Sequence, residues 1–223
     1  MLEYIEKLSH PGEEPKLVVI WLHGLGADGN DFVPVVAELK LTQCVKFIFP
    51  HATLMPVTIN NGYVMRAWYD IKSFDADEKL VDTAGIEHTC IAINELIDKQ
   101  MALGVLPHNI ILAGFSQGGV ISYVTGTRCQ HKLGGILALS CYWPYSGQPP
   151  QPTVQNKTMP ILACHGVEDA VVPFAAGVLA HKKLKDAGYN IQWREYRMGH
   201  SVCNEEIVDI ATWFLSLEQL TIV

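Results

Sequence analysis

The sequence predicts an α/β protein with a mostly parallel central sheet, and three observations support this fold class. Short apolar runs alternate along the chain with segments of helical periodicity, which is the pattern of repeated βαβ units. Several runs are apolar without alternation, as expected of strands that helices cover on both faces. The chain has 223 residues, 49% hydrophobic and 17% charged, which is enough for one large core. We therefore expect a single domain over residues 1–223, with helices flanking the sheet.

The predicted elements follow one another in a regular order. The strands are Leu17–Leu22, Val45–Phe49, Asn109–Ala113, Gly135–Ser140, Ile161–His165 and Asn190–Tyr196. The clearest helix is Thr83–Leu103, where apolar residues recur at helical spacing, and the last helix covers about Cys203–Leu217. Residues 50–80 form a long excursion in which Asn61-Gly62 predicts a small hairpin. Residues 142–159 are rich in proline and polar residues and predict a surface loop.

Charge, cysteine usage and hydropathy argue against several classes of protein. The formal net charge of −7 argues against nucleic-acid binding. The six cysteines form no C-x-x-C pair, which favours reduced thiols in a reducing compartment. The first ten residues lack the apolar core of a signal peptide, and no apolar stretch is long enough to span a bilayer. We expect a cytoplasmic protein with at most peripheral membrane contact, and homodimer formation stays open.

The chain shows no pattern of a metal or cofactor site. Its nine histidines include no H-E-x-x-H motif and no other paired ligand spacing. We therefore expect no metal and no cofactor.

Residues 114–118 form a G-x-S-x-G motif with Ser116 at its centre. The motif directly follows a predicted strand and precedes a helix-like run, which is the context of a nucleophile elbow. Such a turn forces its central residue into a strained conformation, and Gly114 and Gly118 let neighbouring backbone approach closely. The alternative is a glycine-rich turn that serves only strand–helix packing. The elbow interpretation predicts a nucleophilic Ser116 on an α/β-hydrolase fold.

In that fold the acid and then the base follow the serine along the chain. Residues 117–199 contain four carboxylates. Asp186 lies late in a predicted helix and Glu195 lies within a predicted strand. Glu168 and Asp169 lie in the loop after a strand, where the acid belongs. We prefer Asp169, because the small, apolar and proline residues after it fit the hydrolase pattern, and Glu168 stays the alternative.

The candidate base is His200. Downstream of Asp169 the only other histidine is His181, which lies in a lysine-rich helical segment and is predicted to face solvent. His200 follows the last predicted strand, in a loop at the same sheet edge as Ser116. Imidazole titrates near neutrality and can take and return the serine proton, while a buried carboxylate fixes its tautomer. The alternative is a loop histidine bonded to backbone.

The turn after the first predicted strand, His23–Gly29, is a candidate for stabilising a developing oxyanion; we call it the oxyanion turn. It can present one free backbone N–H, and the residue after the nucleophile, Gln117, supplies a second. The lettering G-x-G-x-x-G also fits a dinucleotide-binding turn. That alternative needs a helix starting within the turn and an acidic residue about 20 residues on, and the next strand carries no terminal acid.

These segments resemble the acyl-protein thioesterase and small carboxylesterase family, also described as phospholipase/carboxylesterase. The resemblance runs nearly end to end and is carried by the segments WLHGLGADG, MRAWYDI, ILAGFSQGG, CHGVEDAVVP and the late Gly-His pair. MRAWYDI is most similar to the bacterial carboxylesterase branch. The resemblance implies an α/β-hydrolase without a large cap domain. It also implies small acyl ester or acylated-protein substrates, and lysophospholipids as a further class.

The resemblance also assigns roles to residues. It implies oxyanion donors at Leu25 and Gln117 and places Trp68 in the wall of the acyl site, although Trp68 could instead pack a loop onto the body. Met65 and Trp143 lie on the two excursions and are further candidates for substrate contact. Val171 belongs to a segment that departs from the family pattern just after the acid, which leaves the acyl-chain preference open.

The sequence therefore predicts a serine hydrolase of carboxylic esters or acyl thioesters. The competing hypothesis is a non-catalytic receptor of the same fold that binds an ester-like ligand. The presence of Ser116, Asp169 and His200 together favours the enzyme. A peptidase is less favoured, because no extra domain is present to hold a peptide.

Overall fold

The structure, a computed structural model, describes residues 1–72 and 81–220. Its strands are β1 (Tyr4–Leu8), β2 (Leu17–Leu22), β3 (Val45–Pro50), β4 (Leu54–Val57), β5 (Tyr63–Arg66), β6 (Ile110–Phe115), β7 (Gly135–Leu139), β8 (Pro160–Gly166) and β9 (Asn190–Tyr196). Its α-helices are α1 (Val35–Glu38), α2 (Thr83–Ala102), α3 (Gln117–Arg128), α4 (Phe174–Asp186) and α5 (Asn204–Leu220).

Within the described residues, seven strands form one sheet in the order β1-β3-β2-β6-β7-β8-β9. All neighbouring pairs are parallel except β1 with β3, which is antiparallel. The six strands predicted from the sequence are confirmed: two have the predicted bounds and the other four differ by no more than two residues at either end. The predicted α/β architecture with a mostly parallel sheet is therefore confirmed.

Strand β1 is the sheet element that the sequence analysis missed. It pairs along its whole length with β3, from Tyr4 opposite Pro50 to Leu8 opposite Lys46. It is an edge strand whose residues are half-buried or exposed, with Glu6 and Lys7 at its centre. Because an edge strand needs no continuous apolar run, it lacks the signal that reveals the inner strands.

Helices cover both faces of the sheet and create two apolar layers. One layer joins α2, α3 and α4 to alternate residues of the strands, and Ile20 and Leu112 are among its members. The other joins α1 and α5 to the intervening strand residues, which include Val19 and Ile111. The inner strands are buried on both faces, which explains why their sequences are apolar without alternation.

The predicted hairpin exists, but its turn is longer than Asn61-Gly62 alone. Strands β4 and β5 pair with Val57 opposite Tyr63, so five residues connect them. A 3-10 turn at Thr58–Asn60 comes first, and then Asn61 and Gly62 both take positive φ angles of 54° and 75°. This left-handed pair reverses the chain, as an Asn-Gly signal predicts. The excursion predicted over residues 50–80 includes residues 73–80, which lie outside the described residues.

The parallel strands bring several loops to one edge of the sheet. The segments after β2, β6, β8 and β9 all leave from the carboxyl ends of parallel strands, where open α/β sheets place their sites. The excursion reaches the same edge through a bond from Gly26 N–H to the Arg66 carbonyl. In the described part of the chain, the insertions are this hairpin and loops, and none builds a cap domain. No helix in that part has the length and hydropathy to cross a membrane.

Candidate active site

Ser116 lies in a sharp turn between β6 and α3. Its backbone angles are φ 54° and ψ −118°, a region that residues with a side chain rarely adopt. A Cβ atom at Gly114 would overlap the backbone of Gly118, and one at Gly118 would overlap the carbonyls of Leu22 and His23. Glycine is therefore required at both positions, which is the reason for the G-x-S-x-G pattern.

The Ser116 backbone is anchored while its hydroxyl stays unbonded. The Ser116 N–H donates to the Leu139 carbonyl at 2.8 Å, and the Ser116 carbonyl accepts from Val120 N–H at 3.1 Å. Among residues 1–72 and 81–220, the hydroxyl makes no hydrogen bond. The preceding residue, Phe115, packs its ring against the His200 ring at a centroid distance of 4.7 Å. Through Phe115, the turn that carries Ser116 is therefore packed against His200, the candidate base.

Asp169, which is buried, and His200, which is half-buried, form a hydrogen-bonded pair at this edge. The His200 Nδ1–H donates to Asp169 Oδ2 at 2.7 Å, and the Asp169 side chain is fully buried. The other oxygen, Oδ1, accepts from the N–H groups of Val171 and Val172, both at 2.9 Å. Because an ionised carboxylate can only accept, the bond to Oδ2 fixes the His200 tautomer with the proton on Nδ1.

Glu168, the alternative acid, has a different environment. Its side chain is 59% exposed and pairs with Arg197 at 3.2 Å, and the Arg197 side chain is 91% exposed. The structure therefore brings Asp169 to His200 and turns Glu168 toward solvent. His181, the other histidine downstream of Asp169, lies in α4, where it is half-buried and stacks on the ring of Trp193 in β9 at a centroid distance of 5.5 Å.

His165 is a polar residue of this site that the sequence analysis did not identify. It is fully buried at the end of β8, and its Nε2–H donates to the Val172 carbonyl at 2.9 Å. The same nitrogen lies 3.5 Å from Asp169 Oδ2. Burial lowers the pKa of His165, which favours the neutral ring. The ring thus supports the loop that holds Asp169, and its position four residues before the acid was the available signal.

The oxyanion turn lies directly against the elbow. The first helical residue after Ser116 is Gln117, so its N–H has no acceptor within the helix. The N–H of Leu25 makes no hydrogen bond within the described part of the chain, whereas the next residue, Gly26, bonds to Arg66. Among residues 1–72 and 81–220, neither predicted donor N–H therefore has an acceptor. The dinucleotide alternative requires a helix within the turn, but α1 begins only at Val35 and has four residues.

The predicted substrate residues differ widely in exposure. Val171 is 48% exposed, and half-buried Met65 has its sulfur 3.6 Å from the position of a Cβ at Gly26. Trp143 is 8% exposed and packs edge-on against Tyr145 at 5.6 Å. Trp68 is 3% exposed, which leaves its ring almost no surface to offer an acyl chain. The structure thus gives Met65 and Val171 better access to a ligand than the two tryptophans.

Two buried polar side chains near the oxyanion turn, those of His23 and Gln117, were not identified from the sequence. His23 is fully buried at the end of β2, where a polar residue between an apolar strand and a glycine was the available signal. The Gln117 side chain is also buried, and nothing in the motif distinguishes it from any other residue at that position.

No group of three or more His, Cys, Asp or Glu side chains within the described ranges could hold a metal ion.

Comparisons with known proteins match nearly the whole chain. Residues 4–218 match the model of a family described as phospholipase/carboxylesterase. The chain is 38% identical over 203 residues to an acyl-protein thioesterase 1 of Gibberella zeae, with 86% of each protein covered. It is 33% identical over 203 residues to the carboxylesterase SOBER1 of Arabidopsis thaliana, with 87% of this chain and 88% of the relative covered.

Solved structures also match nearly the whole chain. The crystal structure of Arabidopsis thaliana SOBER1 has a TM-score of 0.82 and 32% identity, covering 90% of this chain and 98% of that chain. The acyl-protein thioesterase 2 of Zea mays, at 23% identity and a TM-score of 0.80, covers 96% of this chain and 99% of that chain and shares the fold.

Proposed function

The chain belongs to the phospholipase/carboxylesterase family of α/β-hydrolases, and from this premise we propose that it is a serine hydrolase of carboxylic esters and acyl thioesters. The observation that carries the proposal is the strained elbow at Ser116, whose preceding residue Phe115 packs against the His200 ring of the hydrogen-bonded Asp169–His200 pair. Acylated proteins and small acyl esters are the proposed substrates, in line with the names of the relatives.

In the proposed acylation step, the Ser116 oxygen attacks the acyl carbonyl carbon while its proton passes to His200 Nε2. The negative charge that develops on the carbonyl oxygen is stabilised by the N–H groups of Leu25 and Gln117. Asp169 stabilises the imidazolium that forms. Among the described residues the Ser116 hydroxyl has no hydrogen-bond partner, and a bond between nucleophile and base commonly tightens only in the substrate complex.

In the second half of the reaction, the imidazolium gives its proton to the departing alcohol or thiol. The C–O or C–S bond breaks, and the acyl group remains on Ser116 as an ester. A water molecule then attacks this ester while His200 again accepts the proton, and the acid is released with Ser116 restored. Both an ester and a thioester fit this sequence, because each has a carbonyl carbon and a leaving group that His200 can protonate.

The substrate's acyl chain is proposed to lie along the surface between the hairpin and the loop that follows Asp169. Val171 is 48% exposed and Met65 is half-buried, so both can offer apolar atoms to the chain, whereas Trp143 and Trp68 are buried. We further propose that the protein acts in the cytoplasm and touches membranes at most peripherally. A homodimer would be compatible with this site.

The proposal is tested by replacing the nucleophile. Ser116→Ala should lower kcat/KM for p-nitrophenyl butyrate by roughly 10³-fold or more, because loss of a triad nucleophile costs several orders of magnitude. The matched control is Ser122→Ala, which removes a hydroxyl that donates to the Gly118 carbonyl within α3. The measurement is the hydrolysis rate with equal amounts of folded protein.

A fluorophosphonate probe separates the enzyme from a receptor of the same fold. The wild type and Ser122→Ala should be labelled, and Ser116→Ala should not. If the wild type neither hydrolyses the ester nor is labelled, the receptor hypothesis is favoured and the proposed function is wrong.

A further inference from the structure

Trp68 belongs to the excursion, yet it is bonded to the oxyanion turn. Its indole Nε1–H donates to the His23 carbonyl at 2.8 Å, and its ring lies 5.0 Å from the His23 ring. The Thr89 hydroxyl, in α2, donates to the Trp68 carbonyl. Trp68 is thus attached on one side to a helix and on the other to the turn that carries Leu25.

The Gln117 side chain forms the second connection to Trp68. Its Oε1 accepts from the Trp68 backbone N–H at 2.8 Å, and its Nε2 donates to the Tyr69 carbonyl at 2.6 Å. Gln117 is 2% exposed, so both bonds are shielded from water. Gln117 is one proposed oxyanion donor through its backbone N–H. Its side chain also holds Trp68, which contacts the turn that carries the other donor, Leu25.

His23 connects this arrangement to the Leu25 N–H. Its Nδ1–H donates to the Gly24 carbonyl at 2.7 Å, and its Nε2 accepts from the Ala52 N–H at 3.1 Å. The Gly24 carbonyl and the Leu25 N–H belong to one planar trans peptide, so they point in opposite directions. The bond from the His23 ring to the Gly24 carbonyl therefore fixes the direction in which the Leu25 N–H points. Burial lowers the pKa of His23 to about 4, which keeps Nε2 free to accept at neutral pH.

We infer that Trp68 and the Gln117 side chain are positioning residues which, acting through His23, hold the N–H groups of Leu25 and Gln117 at the separation that an oxyanion requires. The inference rests on the proposed function, since it assigns a role in stabilising the transition state of that reaction. Trp68 is 3% exposed, so we assign it this positioning role in place of the predicted role in the wall of the acyl site.

The test removes each connection and leaves both backbone donors in place. Trp68→Phe keeps a ring against His23 but deletes the indole N–H. Gln117→Met keeps a side chain of similar length but deletes both side-chain bonds. Because the two changes are independent, either variant decides the question if the other does not fold.

The chain offers a matched control for each change. Trp21 is 1% exposed and its indole N–H has no hydrogen-bond partner within the described ranges, so Trp21→Phe makes the same change without breaking a bond. Gln100 is fully buried, and neither side-chain polar atom has a partner in that part of the protein, so Gln100→Met is the second control. Circular dichroism and thermal melting of all four variants report the structural cost of the substitutions.

The readout compares catalysis with the binding of a transition-state analogue. Ser116 adds to the carbonyl of an alkyl trifluoromethyl ketone, its proton passes to His200, and the adduct presents an oxyanion to the two N–H groups. We expect Trp68→Phe and Gln117→Met to lower kcat/KM for acetyl, butyryl and octanoyl esters by a similar factor, about 10- to 100-fold. The inhibition constant for the ketone should rise by the same factor while KM stays nearly constant. Both controls should stay within about threefold of the wild type.

Three results would overturn the inference. One is activity within about threefold of wild type in folded Trp68→Phe and Gln117→Met, which would show that the bonds have no catalytic role. Another is a loss confined to long acyl chains, which would return Trp68 to the acyl wall. The third is an equal loss in the controls. A failure of the proposed function looks different, because then the wild type itself would be inactive or Ser116→Ala would be active.

Discussion

Asp169 and Glu168 are adjacent in the chain, yet the fold gives their carboxylates opposite environments. Asp169 is fully buried and receives bonds from two backbone N–H groups and from His200. Glu168 has only an exposed ion pair with Arg197, a type of contact that contributes little to stability. A difference of one residue thus decides which carboxylate can orient the imidazole.

Asp169→Asn should therefore be far more damaging than Glu168→Gln. We expect kcat/KM for p-nitrophenyl butyrate to fall by roughly 10³- to 10⁴-fold in Asp169→Asn, because the amide cannot stabilise the imidazolium and favours the wrong tautomer. Glu168→Gln, as the matched control, should stay within about twofold, since a surface ion pair is worth little. Equal losses in the two variants, or a larger loss in Glu168→Gln, would mean that the acid is assigned to the wrong residue.

At the scale of elements, the sequence predicts the inner strands, which are buried on both faces, and the edge strand β9, but it misses the edge strand β1. Strand β6 and the elbow after it were predictable, because a continuous apolar run followed by glycines has few other interpretations. Strand β1 was not, because its half-exposed residues include charges. The candidates Ser116, Asp169 and His200 could be chosen from their order along the chain, whereas the bonds of the Gln117 and His23 side chains join residues 48 and 29 positions apart and have no local signal.

The hairpin of β4 and β5 is the element expected to set acyl-chain preference. An apolar surface should reward burial of the chain by about 0.8 kcal/mol per CH₂ until the available surface is covered. We expect kcat/KM to climb from acetyl to octanoyl p-nitrophenyl esters and then level or fall. Met65→Ala should flatten the climb while acetyl hydrolysis changes little, because Met65 lies beside the oxyanion turn.

Val64→Ala is the control for this prediction. Val64 neighbours Met65 in β5, so its side chain points to the other face of the strand, and it is 57% exposed. Its removal should leave the chain-length profile unchanged. Best activity on acetyl esters in the wild type, or equal flattening by both variants, would show that the acyl chain lies elsewhere.

At the scale of the whole molecule, one buried carboxylate links stability to pH. Glu206 is fully buried in the first turn of α5, at the apolar layer that α5 forms with β8. Burial raises its pKa from 4.5 to about 8, although the nearby Cys203 N–H and Cys164 thiol favour the charged form. Around pH 6 to 7 the folded protein therefore retains a proton that the unfolded chain releases.

The sign of the resulting effect follows from proton linkage. At Glu206 the folded state binds more protons than the unfolded state between about pH 5 and 8, so this group lowers the free energy of unfolding as pH rises, by up to about 1.4 kcal/mol per unit. Glu206→Gln should remove this contribution, so its free energy of unfolding should fall less, or rise more, with pH than that of the wild type, because the amide does not titrate. The exposed neighbour Glu205 provides the control Glu205→Gln, which should keep the slope of the wild type. Urea unfolding at pH 5, 6, 7 and 8 measures the slopes, and equal slopes for wild type and Glu206→Gln would show that Glu206 is not protonated in the folded state.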